Sequence, residues 1–193
     1  MSLSKEWESF LTLQVLQERI ISASLFLAAF ETLKNNTVDK IKSFYSLGFD
    51  ESGIIYDEES YKARVLSKNK SPIYASLEWL LEFDAINKND IENFTKLKNI
   101  RNSLAHQMPA VIMTGNKFDH RENLSVIFQL LSKIDRWWVL NVEIPTNPDY
   151  DGQEIPESEV ESGAVMMLQI MIDVAYGNDA VLQEFKKHHS SKK

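Results

Sequence analysis

Seven consecutive residues, IRNSLAH at positions 100–106, carry the side chains in this sequence that could do chemistry. Arg101 is a permanent cation that can bind a phosphate through two parallel hydrogen bonds, and His106 carries an imidazole that titrates near neutral pH. Asn102 adds an amide that can orient either group or bind the phosphate. The three residues fit RNA transesterification, in which His106 moves protons and Arg101 offsets the charge of the pentacoordinate transition state. This chemistry needs neither a metal nor another cofactor.

The spacing of these residues limits how a site can be built from them. On an α-helix turning about 100° per residue, Asn102 and His106 share a face, whereas Arg101 and His106 point about 140° apart. They converge through the length of the arginine, through a bend near the helix end, or by pairing with a second copy of the motif. A symmetric dimer, in which two such helices face each other, is the easiest of these to build.

Two predicted helices form a hairpin that carries the motif. Pro72 fits the first turn of the first helix, where its missing N–H would be unpaired anyway, and this helix is expected to end around 87–89. Asp90 should cap the second helix, which should stop near 106–108 because Pro109 disfavours helix at the residue before it. The short connection predicts an antiparallel hairpin over 72–109. A helix end at this place would favour protonated His106.

Helices are also predicted for the rest of the chain, because glycine and proline are scarce and strand-like alternation is almost absent. The tract Asn35-Asn36-Thr37 should end the first helix and cap the next, and Gly48 and Gly53 bracket a loop. Gly177 suits the position after a last helix. The remaining predicted helices cover about 4–33, 38–45, 61–66, 119–140 and 160–176. The sequence thus predicts one all-α domain over 1–193, a helical bundle with an acidic, proline-rich loop or arm at 143–158 before the C-terminal helix.

Composition excludes several classes of protein. The chain has no cysteine, which removes disulfides, thiolate nucleophiles and cysteine-ligated metals. Its formal charge of −7 argues against broad duplex binding, so an RNA site would have to be a local basic cleft on an acidic body. The most apolar stretch, 163–175, is too short for a span of about 20 residues and predicts a buried helix. We therefore expect a cytoplasmic protein with no membrane partner.

The motif also resembles that of a known family. IRNSLAH is similar to the Arg-x4-His signature of HEPN domains (higher eukaryote and prokaryote nucleotide-binding), in which Asn, Asp or His commonly follows the arginine. Arg101, Asn102 and His106 match, over a resemblance that covers about 72–109. It implies an all-α bundle of HEPN type and a homodimer with both motifs at a shared cleft. It further implies metal-independent RNase activity, with Arg101 and His106 catalytic and Asn102 in support.

The resemblances of this motif imply two alternative functions. HEPN domains occur widely in toxin–antitoxin, abortive-infection and other defence systems, which implies an endoribonuclease acting on RNA, with an antitoxin or regulatory protein as a partner. Region 78–106 also resembles the mannitol-repressor family, which has a related IRNxxAH segment. That second resemblance implies a noncatalytic regulatory or protein-interaction module.

Each of these residues also has a purely structural interpretation. Arg101 could pair with an acidic neighbour, and His106 could cap the last turn of its helix. The candidate acidic partners are Glu18, Glu31 and Glu78. His120 could line the same cleft, although a solvent-exposed position at a helix start is favoured. For three further groups packing or solvation is favoured: Trp137 and Trp138 (one in the core and one partly exposed), the core methionines Met166, Met167 and Met171, and His188 and His189 in the basic tail 186–193.

Overall fold

The computed structural model describes residues 12–114, 120–153 and 155–180, together with Gln183 and Lys186; of residues 120 and 121 it describes the backbone alone. It is 77% helical with one small two-stranded sheet, which confirms the mostly α-helical class. The helices are α1 (Leu13–Phe44), α2 (Glu58–Tyr61), α3 (Pro72–Glu82), α4 (Lys88–Thr114), α5 (His120–Trp138) and α6 (Gly163–Ala175). The strands are β1 (Ser46–Asp50) and β2 (Gly53–Tyr56). Two π-helical turns, Lys62–Leu66 and Val139–Glu143, continue α2 and α5.

The central element is α1, which contacts α3, α4, α5 and α6. The hydrophobic core lies between these helices, and its largest fully buried side chains are Phe26, Leu33 and Ile41 of α1, Leu77 and Leu80 of α3, Phe94, Leu97 and Leu104 of α4, Ile127, Leu131 and Ile134 of α5, and Leu168 of α6. Within the described part of the chain, α1 alone is long and apolar enough to cross a membrane. Its buried face is what the core helix of a bundle requires.

The expected break at Asn35-Asn36-Thr37 is wrong, because α1 runs through it to Phe44. The Thr37 hydroxyl donates to the Leu33 carbonyl at 2.7 Å, one turn back in the same helix. The Asn36 amide donates to Asp135 of α5, also at 2.7 Å. Asn and Thr side chains can compete for backbone hydrogen bonds and so disfavour a helix. Here Thr37 bonds within its own helix and Asn36 bonds to a neighbouring helix, so the helical backbone continues.

The segment around Gly48 and Gly53 forms a β-hairpin where a loop was expected. The two strands are antiparallel, with Phe49 opposite Ile54. Gly48 and Gly53 have φ of 142° and 124°, which side-chain-bearing residues rarely adopt. Hydrophobic alternation is too short here to reveal the strands.

Pro72 does begin α3, as predicted, but the boundaries around the motif differ from the expectation. α3 ends at Glu82, and Asn87 rather than Asp90 caps α4. The side-chain oxygen of Asn87, Oδ1, accepts from the backbone N–H of Asp90 at 3.1 Å. In return, the Asp90 carboxylate accepts from the backbone N–H of Asn87 at 2.8 Å. This reciprocal pair is a capping box with Asp90 as its third helical residue.

Pro109 does not end α4, so the predicted stop near 106–108 is wrong. The helix continues to Thr114, and its last turns are tied to α1. Arg19 donates through Nη1 to the carbonyls of Ile112 and Met113, at 2.9 and 3.0 Å. These bonds satisfy two acceptors that a helix end leaves without partners. His106 therefore lies in the helix interior and not at the helix end where it was expected.

The C-terminal elements match the predicted helices, with one exception in their packing. Trp138 is buried, while Trp137 is partly exposed, as expected, against Trp79. Segment 143–158 contains three short turns, Ile144–Thr146, Pro148–Tyr150 and Glu157–Glu159. Gly177 follows α6 with φ 82°, as predicted. The predicted core methionines are wrong: Met166, Met167 and Met171 are 38%, 50% and 40% exposed.

Candidate functional site

Arg101 is bound by Glu31 of α1. Its Nε and Nη2 both donate to Glu31 Oε1, at 2.9 and 2.6 Å. Its Nη1 makes a longer contact, 3.4 Å, with the side-chain oxygen of Asn102. The other two candidate acids bind elsewhere, since Glu18 accepts from Gln14 and Glu78 accepts from Asn69. The predicted acidic partner of Arg101 is therefore Glu31.

The antiparallel packing of α1 against α4 creates this pair. Arg19, near the start of α1, meets the end of α4, whereas Glu31, twelve residues later, meets Arg101, eleven residues before Ile112. Both helices rise about 1.5 Å per residue, so these two contacts hold the helices in one register. Arg101 is thus positioned by the bundle and not by its own helix alone.

Glu31 is ionised at neutral pH. Partial burial raises the pKa of Glu31, but the hydrogen bonds and positive charges of Lys34 and Arg101 lower it by more than burial raises it. The pKa of Glu31 therefore lies below its ordinary value. Lys34 holds the second carboxylate oxygen at 2.9 Å. The Arg101 and Glu31 side chains are 35% and 33% exposed. An anion in solvent can therefore reach the Arg101 guanidinium while Glu31 keeps its two hydrogen bonds to Nε and Nη2.

His106 lies apart from this cluster. It is exposed, and the described residues offer it no hydrogen bond or ion pair. α4 is one continuous helix from Arg101 to His106. The two side chains consequently project about 140° apart, and Arg101 turns toward α1. The structure brings Arg101 and Asn102 together and leaves His106 outside, so one copy of the chain does not assemble all three groups.

An exposed stripe of α4 surrounds His106, and the sequence reasoning missed it. It recurs at spacings of four and three residues, which places its members on one face of the helix. Its members are Asn99, Ser103, His106, Ala110 and Met113, all exposed. Only Ser103 and Ala110 among these members are small, and they lie on either side of His106 along the helix. The signal that could have found the stripe is the regular recurrence of small and polar residues opposite Leu97 and Leu104.

No described group of three or more His, Cys, Asp or Glu side chains is arranged to hold a metal ion. The side chain of His120, and all of His188 and His189, lie outside the described residues. Comparisons with models of protein families, with curated proteins and with solved structures found no match.

A groove between α5 and α6 is a second concave feature that the sequence did not indicate. It consists of two adjoining cavities of about 650 and 310 Å³ that share Ser132 and Arg136. Arg136 donates through Nε to the Val160 carbonyl at 3.1 Å, and Lys133 pairs with Asp90 at 2.6 Å. No residue of the motif lines this groove, so it forms a separate surface of the molecule.

Proposed function

We propose that this chain is a HEPN-like, metal-independent endoribonuclease that works in the cytoplasm as a homodimer. The observation that supports this function best is the contrast between the two motif residues. Arg101 is a half-exposed cation held in one orientation by Glu31, and His106 is an exposed imidazole on the same helix with no described partner. One group is fixed for binding an anion, and the other is free to exchange protons.

Arg101 would bind the scissile phosphate. Two of its three guanidinium nitrogens are committed to Glu31, and the third makes only a long contact with Asn102. That edge can turn to a phosphate oxygen, and the cation would be preorganised where negative charge develops. Asn102 stands beside it and can donate its amide N–H to the same phosphate.

His106 would move the protons. A neutral imidazole removes the proton of the 2′-OH while O2′ bonds to phosphorus, and the phosphorus–O5′ bond breaks. A protonated imidazole returns a proton to O5′. The products are a 2′,3′-cyclic phosphate and a 5′-OH end. Because Arg101 and His106 diverge within one chain, the working site would combine Arg101 of one copy with His106 of another.

The local charge supports RNA binding on an otherwise acidic chain. Lys34 and Arg101 are two cations that both pair with the single carboxylate of Glu31, so this cluster has a net positive charge. Lys98 lies one turn before Arg101 on α4, with its ammonium 4.6 Å from the centre of the Tyr74 ring. This positive excess meets the requirement that a nucleic-acid site be local.

A noncatalytic interaction module is the second candidate. It is favoured by the Arg101–Glu31 pair, which neutralises the cation without any ligand. It is favoured as well by the β-hairpin, where Leu47 and Phe49 are 71% and 86% exposed and could contact an antitoxin or another regulatory protein. In this module the motif would serve only to hold α1 against α4.

The test is RNA cleavage in EDTA with the ends of the products identified. Wild-type protein should release 2′,3′-cyclic phosphate and 5′-OH ends from single-stranded or structured RNA. His106→Ala and Arg101→Ala should each reduce the rate by about 10²-fold or more. Gln107→Ala, an exposed change beside His106, should leave the rate unaltered.

Three results would contradict the proposal. Cleavage that survives His106→Ala excludes the assigned base, and cleavage that requires magnesium excludes the metal-independent mechanism. If folded wild-type protein neither cuts any of these RNAs nor inhibits growth when expressed, the interaction module is the function.

A further inference from the structure

Lys98 of α4 is a cation that forms no ion pair with a described carboxylate. Its ammonium lies 4.6 Å from the centre of the Tyr74 ring of α3, a distance at which the face of the ring attracts a cation. Glu78, one turn after Tyr74 on α3, accepts a hydrogen bond from Asn69. The lysines with printed carboxylate partners are others, namely Lys34, Lys40, Lys42, Lys68 and Lys133. Lys98 is therefore held in position while its charge stays available to an anion.

The Tyr74 ring is itself fixed, so the Lys98 ammonium has a defined place. The ring meets Phe94 edge to face, with the two ring centres 5.8 Å apart. The Tyr74 hydroxyl lies 3.1 Å from the hydroxyl oxygen of Thr95, which donates its own proton to the Ile91 carbonyl, so Tyr74 is the donor of this bond. A ring face attracts the ammonium without supplying a lone pair, and the N–H groups that point away from the ring remain available as donors.

Lys98, Arg101 and Asn102 lie side by side on α4 and are here called the polar patch. Lys98 is three residues from Arg101 and four from Asn102, and side chains at these spacings are neighbours on a helix, with Cβ atoms about 5–6 Å apart. All three residues are half-buried. Asn102 turns its side-chain oxygen toward Arg101 Nη1, at 3.4 Å, so its NH2 group is left to donate to a ligand. The polar patch thus offers two cations and an amide donor on one surface.

The two cations of the polar patch lean toward different helices. Arg101 turns to Glu31 of α1, which accepts from its Nε and Nη2, whereas Lys98 reaches Tyr74 of α3. The guanidinium and the ammonium are therefore separated across the surface of α4, an arrangement that suits two anionic groups better than one. A nucleic-acid strand presents its anions in this way, with one phosphate for each nucleotide.

We propose that Lys98 binds the phosphate next to the scissile one, so that the substrate is an RNA strand with two consecutive phosphates in the polar patch. This inference rests on the proposed function, in which Arg101 binds the scissile phosphate. The planar guanidinium suits the phosphate whose orientation matters for the reaction, whereas an ammonium acts as a point charge and suits a phosphate that is only held in place. Lys98 is thus a substrate-binding residue that takes no part in proton transfer, and a substrate with a single phosphate does not use it.

Short substrates separate this contact from the chemistry. One is a dinucleoside monophosphate, whose only phosphate is scissile, and two others carry a further phosphate on its 5′ or its 3′ side, with 2′-O-methyl groups that restrict cleavage to the same bond. Lys98→Ala should raise KM about tenfold for one of the longer substrates and leave cleavage of the dinucleoside monophosphate unaltered. Lys96→Ala, an exposed lysine two positions away that points to another side of α4, is the matched control and should change none of the three rates. An equal loss on all three substrates would show that Lys98 supports only the fold.

Binding of an RNA that cannot be cut makes the second test independent of catalysis. Fluorescence anisotropy measures the Kd of a fully 2′-O-methylated single strand over a range of salt concentrations. One phosphate contact contributes about 0.7 to the slope of log K against log salt for a single strand, so Lys98→Ala should lower the slope by about this amount, whereas Lys96→Ala should keep the wild-type slope. This result together with no cleavage by wild-type protein would overturn the RNase function and retain the Lys98 contact. A wild-type slope in Lys98→Ala, or no binding by wild-type protein, would overturn the Lys98 contact itself.

Discussion

Glu31 determines where the Arg101 guanidinium points. The carboxylate accepts from Nε and Nη2 through one oxygen, and Lys34 holds the other oxygen. Since Glu31 is charged and anchored from both sides, it acts as a positioning residue that does not itself need to touch RNA. Its role is to fix the orientation of Arg101 before a phosphate arrives, which lowers the entropy cost of forming the site.

Replacing Glu31 tests this positioning role. Glu31→Gln keeps the size of the side chain and removes its charge, so Arg101 should lose its fixed orientation without losing its own charge. We expect kcat for RNA cleavage to fall about tenfold, which corresponds to about 1.4 kcal/mol, with a smaller change in KM. Steady-state kinetics measures both.

The matched control is Glu78→Gln, since Glu78 is also half-buried but binds Asn69 of another segment. It should leave kcat unaltered. Equal losses in the two variants would mean that Glu31 contributes only to the stability of the bundle. Recovery of kcat in Glu31→Asp would support positioning by a carboxylate.

The motif residues could be identified from the sequence, but their arrangement could not. Arg101, Asn102 and His106 stand out because the amino-acid types suit phosphate chemistry. The choice of Glu31 among three candidate acids depends on the register of α1 against α4, a contact between residues 70 positions apart in the sequence. Local spacing carries no information about such a register.

At the scale of elements, the sequence predicts where the helices lie better than it predicts the residues at which they begin and end. Asn35-Asn36-Thr37 and Pro109 both disfavour helix in isolation, yet α1 and α4 run through them. In each case distant groups provide the compensation, Asp135 for Asn36 and Arg19 for the end of α4. Tertiary contacts override local propensity at both places, and they move the motif from a helix end into a helix interior.

Pro109 should destabilise α4 because the helix continues past it. A proline inside a helix removes one backbone hydrogen bond and costs about 3 kcal/mol. We expect Pro109→Ala to raise the free energy of unfolding by about 1–3 kcal/mol, measured by urea denaturation. Gln107→Ala, exposed on the same helix, should change it by less than about 0.5 kcal/mol. A Pro109→Ala protein no more stable than wild type would mean that α4 ends before the proline.

At the scale of the whole molecule, one buried carboxylate joins three helices. Asp135 of α5 is 5% exposed. It accepts from Asn36 of α1 and from Ser162 at the start of α6, and Lys40 of α1 lies 3.6 Å from it. No sequence pattern indicates this cluster, because its members are far apart in the chain and belong to common residue types.

Removing the Asp135 carboxylate should destabilise the entire bundle. Asp135→Ala leaves the half-buried Asn36 donor and the buried Ser162 donor without this acceptor. It also leaves Lys40 with only the more distant of its two carboxylate partners, Glu143 at 3.8 Å. We expect a loss of about 2–4 kcal/mol in the free energy of unfolding. Asp149→Ala, in an exposed turn, is the control and should cost less than about 0.5 kcal/mol. Equal stability of the two variants in urea would show that the cluster does not hold the helices together.

The distribution of apolar residues between the core and the surface was also hidden in the sequence. The α6 segment GAVMMLQIMIDVA is apolar enough to suggest complete burial, but among the described residues Leu168 is buried whereas Met166, Met167, Met171 and Val174 are exposed. Hydrophobicity predicts that such a surface will be covered, without distinguishing whether the same chain or another copy covers it.

Complementation between two inactive variants tests most directly whether each site is shared between two copies of the chain. Arg101→Ala and His106→Ala are each purified, shown to be inactive on RNA in EDTA, then mixed and allowed to exchange subunits. If each site takes Arg101 from one copy and His106 from the other, half of the dimers are mixed and one of their two sites is intact. The mixture should therefore recover about a quarter of the wild-type rate. A mixture that stays as inactive as its two components, despite demonstrated subunit exchange, would contradict a site shared between two copies.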